Sequence, residues 1–233
     1  GDIVGSYTPH RAEYIIANLA IFKAGGAIFP LETNYPADLL AELIQMAGIS
    51  VVLTMSSMKP MLPLSHQSDG HCFCLEGEWA QVLNESDLPG LNDPQVGLSD
   101  RAYVTMTSGS TGRPKGVVNA HIGATHNFLS RFDLTPYNPG EREGLNVFFV
   151  WECFRPILQG ATAYIIPDEV IVDPRALVNF LHENKVTRLQ TTTQLIEAVL
   201  EHPGLDLATK LKNIRYWYQC GEPVPARVVA KWT

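Results

Sequence analysis

Short apolar runs alternate with amphipathic helical stretches along most of this chain, and that alternation leaves few folds open. Asp2 to Tyr7 reads as a strand. A helix follows, with Ile15, Leu19 and Phe22 at i, i+4 and i+7 and Gly25-Gly26 at its end. Ala27-Ile28-Phe29-Pro30-Leu31 is a second strand, stopped by Glu32-Thr33-Asn34-Tyr35-Pro36. Leu39, Leu43 and Met46 mark the next helix, which Gly48 ends before a strand over Ser50 to Thr54. The rhythm returns later: a strand over Thr162 to Ile166, a helix capped by Asp173-Pro174 with Leu177, Phe180 and Leu181 on its apolar face, and a strand over Thr187 to Thr191. A helix over Thr193 to Glu201 and a strand over Ile214 to Gln219 complete it. Successive parallel strands need helical crossovers, so these repeated βαβ units predict an α/β fold of mostly parallel sheets with packed helices.

The middle of the chain is less regular. Met55 to Ser68 is rich in Pro, Met and Ser, Cys72 to Leu75 reads as a short strand, and Asn84 to Asp100 as a linker. Val117-Val118 begins a strand, Ile122 to Arg131 a helix, and Asp133 to Gly144 reads as a polar turn region.

Tyr103 to Val118 is the stretch that carries chemistry. Tyr103 to Met106 is β-prone and feeds a loop of small residues. Thr107, Ser108, Ser110 and Thr111 supply hydroxyl donors, while Gly109, Gly112 and Gly116 let backbone N–H groups turn inward. Lys115 adds one mobile cation, and Pro114 stiffens the chain before it. Many weak donors, one point charge and little bulk suit a polyphosphate; a flexible Ser/Thr/Gly turn is the plainer reading. The loop is not a Walker loop, because Pro114 stands where that pattern needs its second glycine and Gly116 follows Lys115 in place of Ser or Thr.

The full string from Thr107 to Gly116 resembles the phosphate loop of the adenylate-forming superfamily, which includes acyl-CoA synthetases, luciferases and the adenylation domains of nonribosomal peptide synthetases. Lys23-Ala24-Gly25-Gly26-Ala27 with Pro30-Leu31 and Tyr35-Pro36 resembles an upstream element of adenylation domains, with Glu32 where that family usually has Asp; its role reads as structural. Asn146 to Phe154 resembles the family segment Phe-Asp-x-Ser-Val-Trp-Glu-x-Phe, which opens the acyl-substrate pocket. Matching Val150-Trp151-Glu152 puts Val147 where amino-acid-activating members carry the Asp that binds the substrate ammonium. A buried ammonium without a counter-charge costs several kcal/mol, on the order of the penalty for any unpaired buried ion. Val147, Phe148 and Trp151 are therefore expected to line an apolar pocket for an acid without an α-amine; a plain buried strand running into a core helix is the alternative. Cys220-Gly221-Glu222 resembles the family's Gly-Gly-Glu turn, with Cys220 in place of the first Gly, and Tyr218 and Cys220 are expected at the pocket wall, though packing alone also accounts for them. Thr192 replaces the Pro of the family's Thr-Pro-Ser, and His121 falls where many relatives have a histidine, in a capping, packing or ligand-facing role.

Composition bounds the rest. At 233 residues, 45% apolar and 18% charged, the chain is an ordinary globular protein of one large or two small domains. A net charge of −7 argues against nucleic acid or an anionic membrane as main partner. No apolar run approaches the roughly 18 residues of a membrane span. Cys72, Cys74, Cys153 and Cys220 show no zinc spacing, and His66 and His71 have no partner at ligand spacing, so a reducing, cytoplasmic setting without a protein-held metal is expected.

The resemblance implies a two-step activity. A carboxylate attacks the α-phosphorus of ATP, giving acyl-AMP and pyrophosphate, and a phosphopantetheine thiol of a carrier domain or coenzyme A then takes the acyl group. By that likeness Thr107, Ser108, Gly109, Ser110, Thr111, Gly112, Lys115 and Gly116 hold the nucleotide phosphates. Val147, Phe148, Trp151, Tyr218, Cys220, Gly221 and Glu222 shape the acid pocket. ATP is expected with Mg²⁺, whose family Glu ligand, like the ribose-binding Asp and the catalytic Lys, lies in motifs that do not occur in this sequence. Residues 1–233 are accordingly expected to be a partial adenylation domain, trimmed at both ends and lacking the small C-terminal domain. A non-catalytic nucleotide-binding remnant or an inactive truncated product is the competing expectation.

Overall fold

The computed structural model describes residues 1–63, 71–76, 94–107, 115–146, 152–220 and 222–232. It divides into two compact units, Gly1–Ser130 and Arg131–Thr233.

The first unit contains β1 (Ile3–Tyr7), α1 (Ala12–Lys23), β2 (Ala27–Pro30), α2 (Ala37–Ala47), β3 (Val51–Thr54), β4 (His71–Cys74), β5 (Arg101–Thr107) and β6 (Lys115–Ala120), after which α3 (His121–Leu134) begins. Its sheet runs β4-β3-β1-β2-β5-β6. Every pairing is parallel except β5 with β6, which is antiparallel. The core gathers Tyr7, Phe29, Leu31, Leu40, Leu43, Ile49, Val52, Leu62 and Val104. α1 turns a different face inward from the one its spacing suggests: Tyr14, Ile15, Ala17, Asn18 and Ile21 are buried, while Leu19 is exposed and Phe22 half-buried. Apolar residues ring most of this helix, so periodicity does not choose a face, and the small Ala17 suits close approach to the sheet. In α2, Leu40 and Leu43 face the core and Met46 is exposed. Gly48 ends that helix in the left-handed conformation, at φ 61°.

The second unit contains β7 (Arg142–Leu145), a 3-10 turn (Glu152–Phe154), α4 (Arg155–Leu158), β8 (Thr162–Ile165), α5 (Asp168–Ile171), α6 (Pro174–Glu183), β9 (Arg188–Thr191), α7 (Thr193–Glu201), α8 (Leu207–Lys210), β10 (Tyr216–Gln219) and α9 (Ala226–Trp232). Its sheet runs β10-β9-β7-β8, parallel throughout. The expected polar turn over Asp133 to Gly144 gives way to β7 in its last three residues, and Glu143 and Gly144 are buried there. Charged residues tolerate that strand because their partners are internal. Gly144 packs closely: a Cβ there would lie 3.1 Å from Ile166 Cδ1 and Leu189 Cδ1, so those side chains would have to shift slightly. One side of this unit packs Ile166, Leu177, Val178, Leu181, Val186, Leu189, Val199 and Leu211 into an apolar core. α6 starts where its cap predicts, and α7 starts at the expected Thr193 with a cap not assigned from sequence. Asp173 accepts from Arg175 N at 2.8 Å and Ala176 N at 3.3 Å, and Thr192 accepts from Leu195 N at 3.4 Å. Thr192 thus caps a helix at the position where the family's usual Pro is missing. Among the described residues no helix is long and apolar enough to cross a membrane.

Candidate functional site

The first unit carries the candidate phosphate-binding patch on its edge hairpin. β5 is anchored by buried Ala102, Tyr103 and Val104, and its pairing with β6 runs out to Thr107 opposite Lys115. Thr107 Oγ1 donates to Lys115 O at 3.3 Å. The hairpin is therefore rooted in the core and ends in exposed residues, with Thr107, Lys115 and Gly116 together at its tip. Gly116 lies opposite Met106, and a Cβ there would come within 3.3 Å of Val104 Cγ1, so the strands meet closely. Among the described residues no carboxylate pairs with Lys115. Ser108, Gly109, Ser110, Thr111 and Gly112 lie outside the described residues.

His121 opens α3 in this same unit. Its N–H donates to Asp100 O at 3.0 Å, and its ring lies 5.4 Å from that of Phe22. Burial lowers its pKa below the usual histidine value, against an opposing pull from Asp100. These are the marks of a packing residue.

The second unit gathers the acid-pocket candidates that are described. Val147, Phe148, Trp151 and Gly221 lie outside the described residues. Tyr218 is on β10, and Cys220 follows it with its N–H bonded to Thr191 O at 3.0 Å. Glu222 is exposed, and both its carboxylate oxygens lie 2.9 Å from Gln194 Nε2. Tyr218 does not stand alone: Arg188 Nη1 donates to its hydroxyl at 2.8 Å, and the Arg155 guanidinium carbon lies 5.4 Å from its ring centroid. Burial pushes its phenol pKa up.

Behind Tyr218 is a buried ionic network on the sheet face opposite the apolar core. Arg155 pairs with Glu143 and Glu152, all nearly inaccessible. Burial works against the Arg155 charge, but Glu143 and Glu152 outweigh it and raise its pKa above the ordinary arginine value. Arg131 adds a second cation, 3.3 Å from Glu152 Oε1 and 2.9 Å from Gln190 Oε1. A second cluster centres on Glu141, which accepts from Arg188 Nε at 2.8 Å and Thr187 Oγ1 at 2.6 Å and also pairs with Arg215. Burial pushes the Glu141 pKa up, but hydrogen bonds from Thr187 and Arg188 and the charges of Arg188 and Arg215 bring it below its usual value. Glu143 hydrogen-bonds Tyr137, whose ring stacks on Arg188, so the two clusters are joined.

Sequence reasoning passed over these residues. The signal present is period-two polar spacing: Glu141-x-Glu143 running into β7, Arg188-x-Gln190 on β9 and Tyr216-x-Tyr218 on β10. Its charge reads as a turn until the partners on neighbouring strands are known.

Comparison with known proteins gives a consistent answer. A family model described as AMP-binding enzyme matches residues 1–233. The glycine betaine reductase ATRR of Emericella nidulans is 34% identical over 96% of this chain, which covers 17% of that protein. Tyrocidine synthase 3 of Brevibacillus parabrevis is 31% identical over 98% of this chain and 4% of its own length. Among solved structures, the nonribosomal peptide synthetase FmoA3 (S1046A) matches with TM-score 0.85 and 26% identity over 100% of this chain and 24% of that one. Its AMPPNP-bound form matches with TM-score 0.81 at 25% identity, over 100% of this chain and 24% of that one. The chain spans less than a quarter of the length of each of these proteins.

Proposed function

This chain belongs to the AMP-binding enzyme family, and on that premise we propose that it serves ATP-dependent activation of a carboxylic acid as its acyl-adenylate. The observation that carries the proposal is the hairpin closed by Thr107 and Lys115, which brackets the hydroxyl- and glycine-rich string between them. An exposed lysine without a carboxylate partner among the described residues, at the root of such a string, is free to meet a polyphosphate.

In the proposed reaction a carboxylate oxygen bonds to the α-phosphorus of ATP and the α–β phosphoanhydride breaks, releasing pyrophosphate. A phosphopantetheine thiol, on a carrier domain or coenzyme A, then attacks the acyl carbon and AMP leaves. Such chemistry needs chiefly positioning and charge neutralisation. Thr107, Ser108, Gly109, Ser110, Thr111, Gly112, Lys115 and Gly116 are assigned to the phosphates. Mg²⁺ would enter as the counter-ion of ATP and neutralise its phosphates; among the described residues no group of three or more His, Cys, Asp or Glu gathers to hold it.

Val147, Phe148, Trp151, Tyr218, Cys220, Gly221 and Glu222 are assigned to the acid pocket. With Val147 at the position of the ammonium-binding Asp, the acid proposed is one without a protonated α-amine. The relative named for glycine betaine is compatible with this class: a trimethylated nitrogen keeps its charge but has no N–H to donate, and a quaternary ammonium is held by aromatic rings, as Phe148 and Trp151 would offer, without a hydrogen-bonding carboxylate.

The test is acid-dependent ATP–pyrophosphate exchange by the full-length protein with betaines, simple carboxylic acids and proteinogenic amino acids, alongside ATP calorimetry. Exchange with an acid lacking a protonated α-amine is expected. ATP binding without exchange for any acid favours the non-catalytic reading instead, and exchange confined to α-amino acids overturns the acid class.

A further inference from the structure

Three neighbouring strands of the second unit turn charge and aromatic hydroxyls to the same buried face. Glu143, Arg188 and Tyr216 are register neighbours across β7, β9 and β10, and one pleat further on Gln190 lies beside Tyr218. Arg155, only 3% exposed, reaches all three strands. Its guanidinium pairs with Glu143 on β7, donates to Gln190 Oε1 on β9 at 3.2 Å, and lies over the Tyr218 ring on β10. It also pairs with Glu152 and donates from Nε to the Tyr137 hydroxyl at 3.2 Å.

The segments that follow these parallel strands leave the sheet at its carboxyl edge. β7 leads into Asn146 and residues 147–151, with Glu152 next; β10 leads into Cys220 and Glu222; β9 leads into Thr192. In parallel α/β sheets ligands bind outside the carboxyl ends of the strands. Arg155 thus ties Glu143, before residues 147–151, to Glu152, directly after them, and fixes the ring of Tyr218 at the same level. A cavity of about 10 Å³, room for about one water, is lined there by Glu143, Asn146, Glu152, Arg155 and Gln190. The Asn146 Oδ1 is buried without a hydrogen-bond partner among the described residues.

Stability is a weak reason for this arrangement. Burying two carboxylates and a guanidinium carries a desolvation penalty that their attraction roughly offsets, and a packed apolar trio of similar volume is often as stable or more so. What a guanidinium adds is direction: donors in a fixed plane that hold their acceptors at set angles. We propose that Arg155 is a positioning residue for acid selectivity, holding Glu143, Glu152, Gln190 and the pocket candidate Tyr218 in one geometry; this rests on the acyl-adenylate reading above.

The experiment uses full-length protein and compares wild type, Arg155→Lys and the apolar trio Glu143→Leu/Glu152→Met/Arg155→Met, which removes all three charges together. KM for acid and for ATP, the ratio of kcat/KM between acids, and the thermal midpoint are measured for each. The trio variant also leaves Arg131 without Glu152 and the Tyr137 hydroxyl without Glu143, so it is expected to lower the midpoint while raising acid KM at least tenfold, flattening the ratio between acids and leaving ATP KM within twofold. Arg155→Lys keeps the charge but not the fork and is expected to fall between the two. An unchanged acid ratio in both variants overturns the proposal, as does a parallel rise in both KM values, the pattern of a merely structural clamp. If the trio variant does not fold, Arg155→Lys decides by the same criteria. Wild-type protein inert toward every acid overturns the acyl-adenylate reading itself and this proposal with it.

Discussion

The guanidinium carbon of Arg188 lies 3.8 Å from the ring centroid of Tyr137, and the Tyr216 ring lies 4.5 Å away. Arg188 is fully buried and its donors are committed: Nε to Glu141, Nη1 to Thr135 O and the Tyr218 hydroxyl, Nη2 to Pro136 O. It therefore pins the chain between α3 and β7 while neutralising a buried carboxylate. Arg188→Met is expected to destabilise by about 3 to 5 kcal/mol, because Glu141 loses one of its two arginines and two carbonyls lose their donors. Arg188→Lys is expected to recover little, since an ammonium lacks the planar fork that meets four acceptors and two rings. Urea titrations of the three proteins check both statements.

Glu141 makes the same region sensitive to acid. Its folded-state pKa is depressed, burial being outweighed by the hydrogen bonds from Thr187 and Arg188 and by the neighbouring arginines. A depressed carboxylate contributes stability that is complete above the unfolded-state pKa, about 4.3, and is lost as pH falls through the folded-state value. Glu141→Gln is therefore expected to differ most from wild type near neutral pH, with the difference shrinking as pH drops below about 4. Unfolding midpoints of both proteins between neutral and acid pH measure this; a difference that stays constant with pH contradicts it.

Much of the fold is legible in the sequence because local rules and tertiary structure agree. Asp173-Pro174 and Gly48 bound their helices where capping chemistry puts them, and the α7 span Thr193–Glu201 is as its apolar spacing predicts. Leu19 faces solvent because a helix with apolar residues around most of its circumference leaves the choice of face to the sheet it meets, whereas Met46 lies in the last turn of α2, off the face that Leu40 and Leu43 bury. β7 is illegible for a different reason. Arg142-Glu143-Gly144 has a turn's composition, and only Arg155 and Arg188, supplied from distant positions, make it a buried strand. Of the candidate site, Thr107, Lys115 and Gly116 are legible as a string, whereas the ionic support behind Tyr218 depends on pairings across β7, β9 and β10.

The α6 cap gives a local test of that agreement. Asp173→Ala removes the acceptor for two backbone N–H groups and is expected to destabilise by about 1 kcal/mol, while Asp173→Asn keeps an oxygen there and is expected to stay within a few tenths of that unit of wild type. Chemical denaturation resolves the two; equal losses in both variants contradict the capping role.

Gly48 isolates backbone conformation from packing. Its φ of 61° lies in the left-handed region, and a Cβ there meets nothing within 4 Å. Gly48→Ala is expected to destabilise by about 1 to 2 kcal/mol from backbone strain alone, and Gly48→Asn by less, because Asn tolerates this region. The ordering of the three denaturation midpoints is the readout.

Lys115 separates phosphate binding from folding. Its side chain is exposed at the end of β6 that pairs with Thr107, where among the described residues it has no carboxylate partner, so its removal takes away no buried contact. Lys115→Ala is expected to leave the thermal midpoint unchanged to within the roughly 0.5 kcal/mol typical of surface substitutions. It is expected to lower ATP-dependent turnover of the full-length protein by at least tenfold, through weaker neutralisation of the β- and γ-phosphates. Lys115→Arg retains a cation of different shape and is expected to lie between them. ATP KM, acid KM and kcat are measured side by side for the three proteins. A rise in ATP KM or a fall in kcat with acid KM unchanged supports the assignment, and unaltered turnover in Lys115→Ala removes the hairpin from the phosphate-binding role.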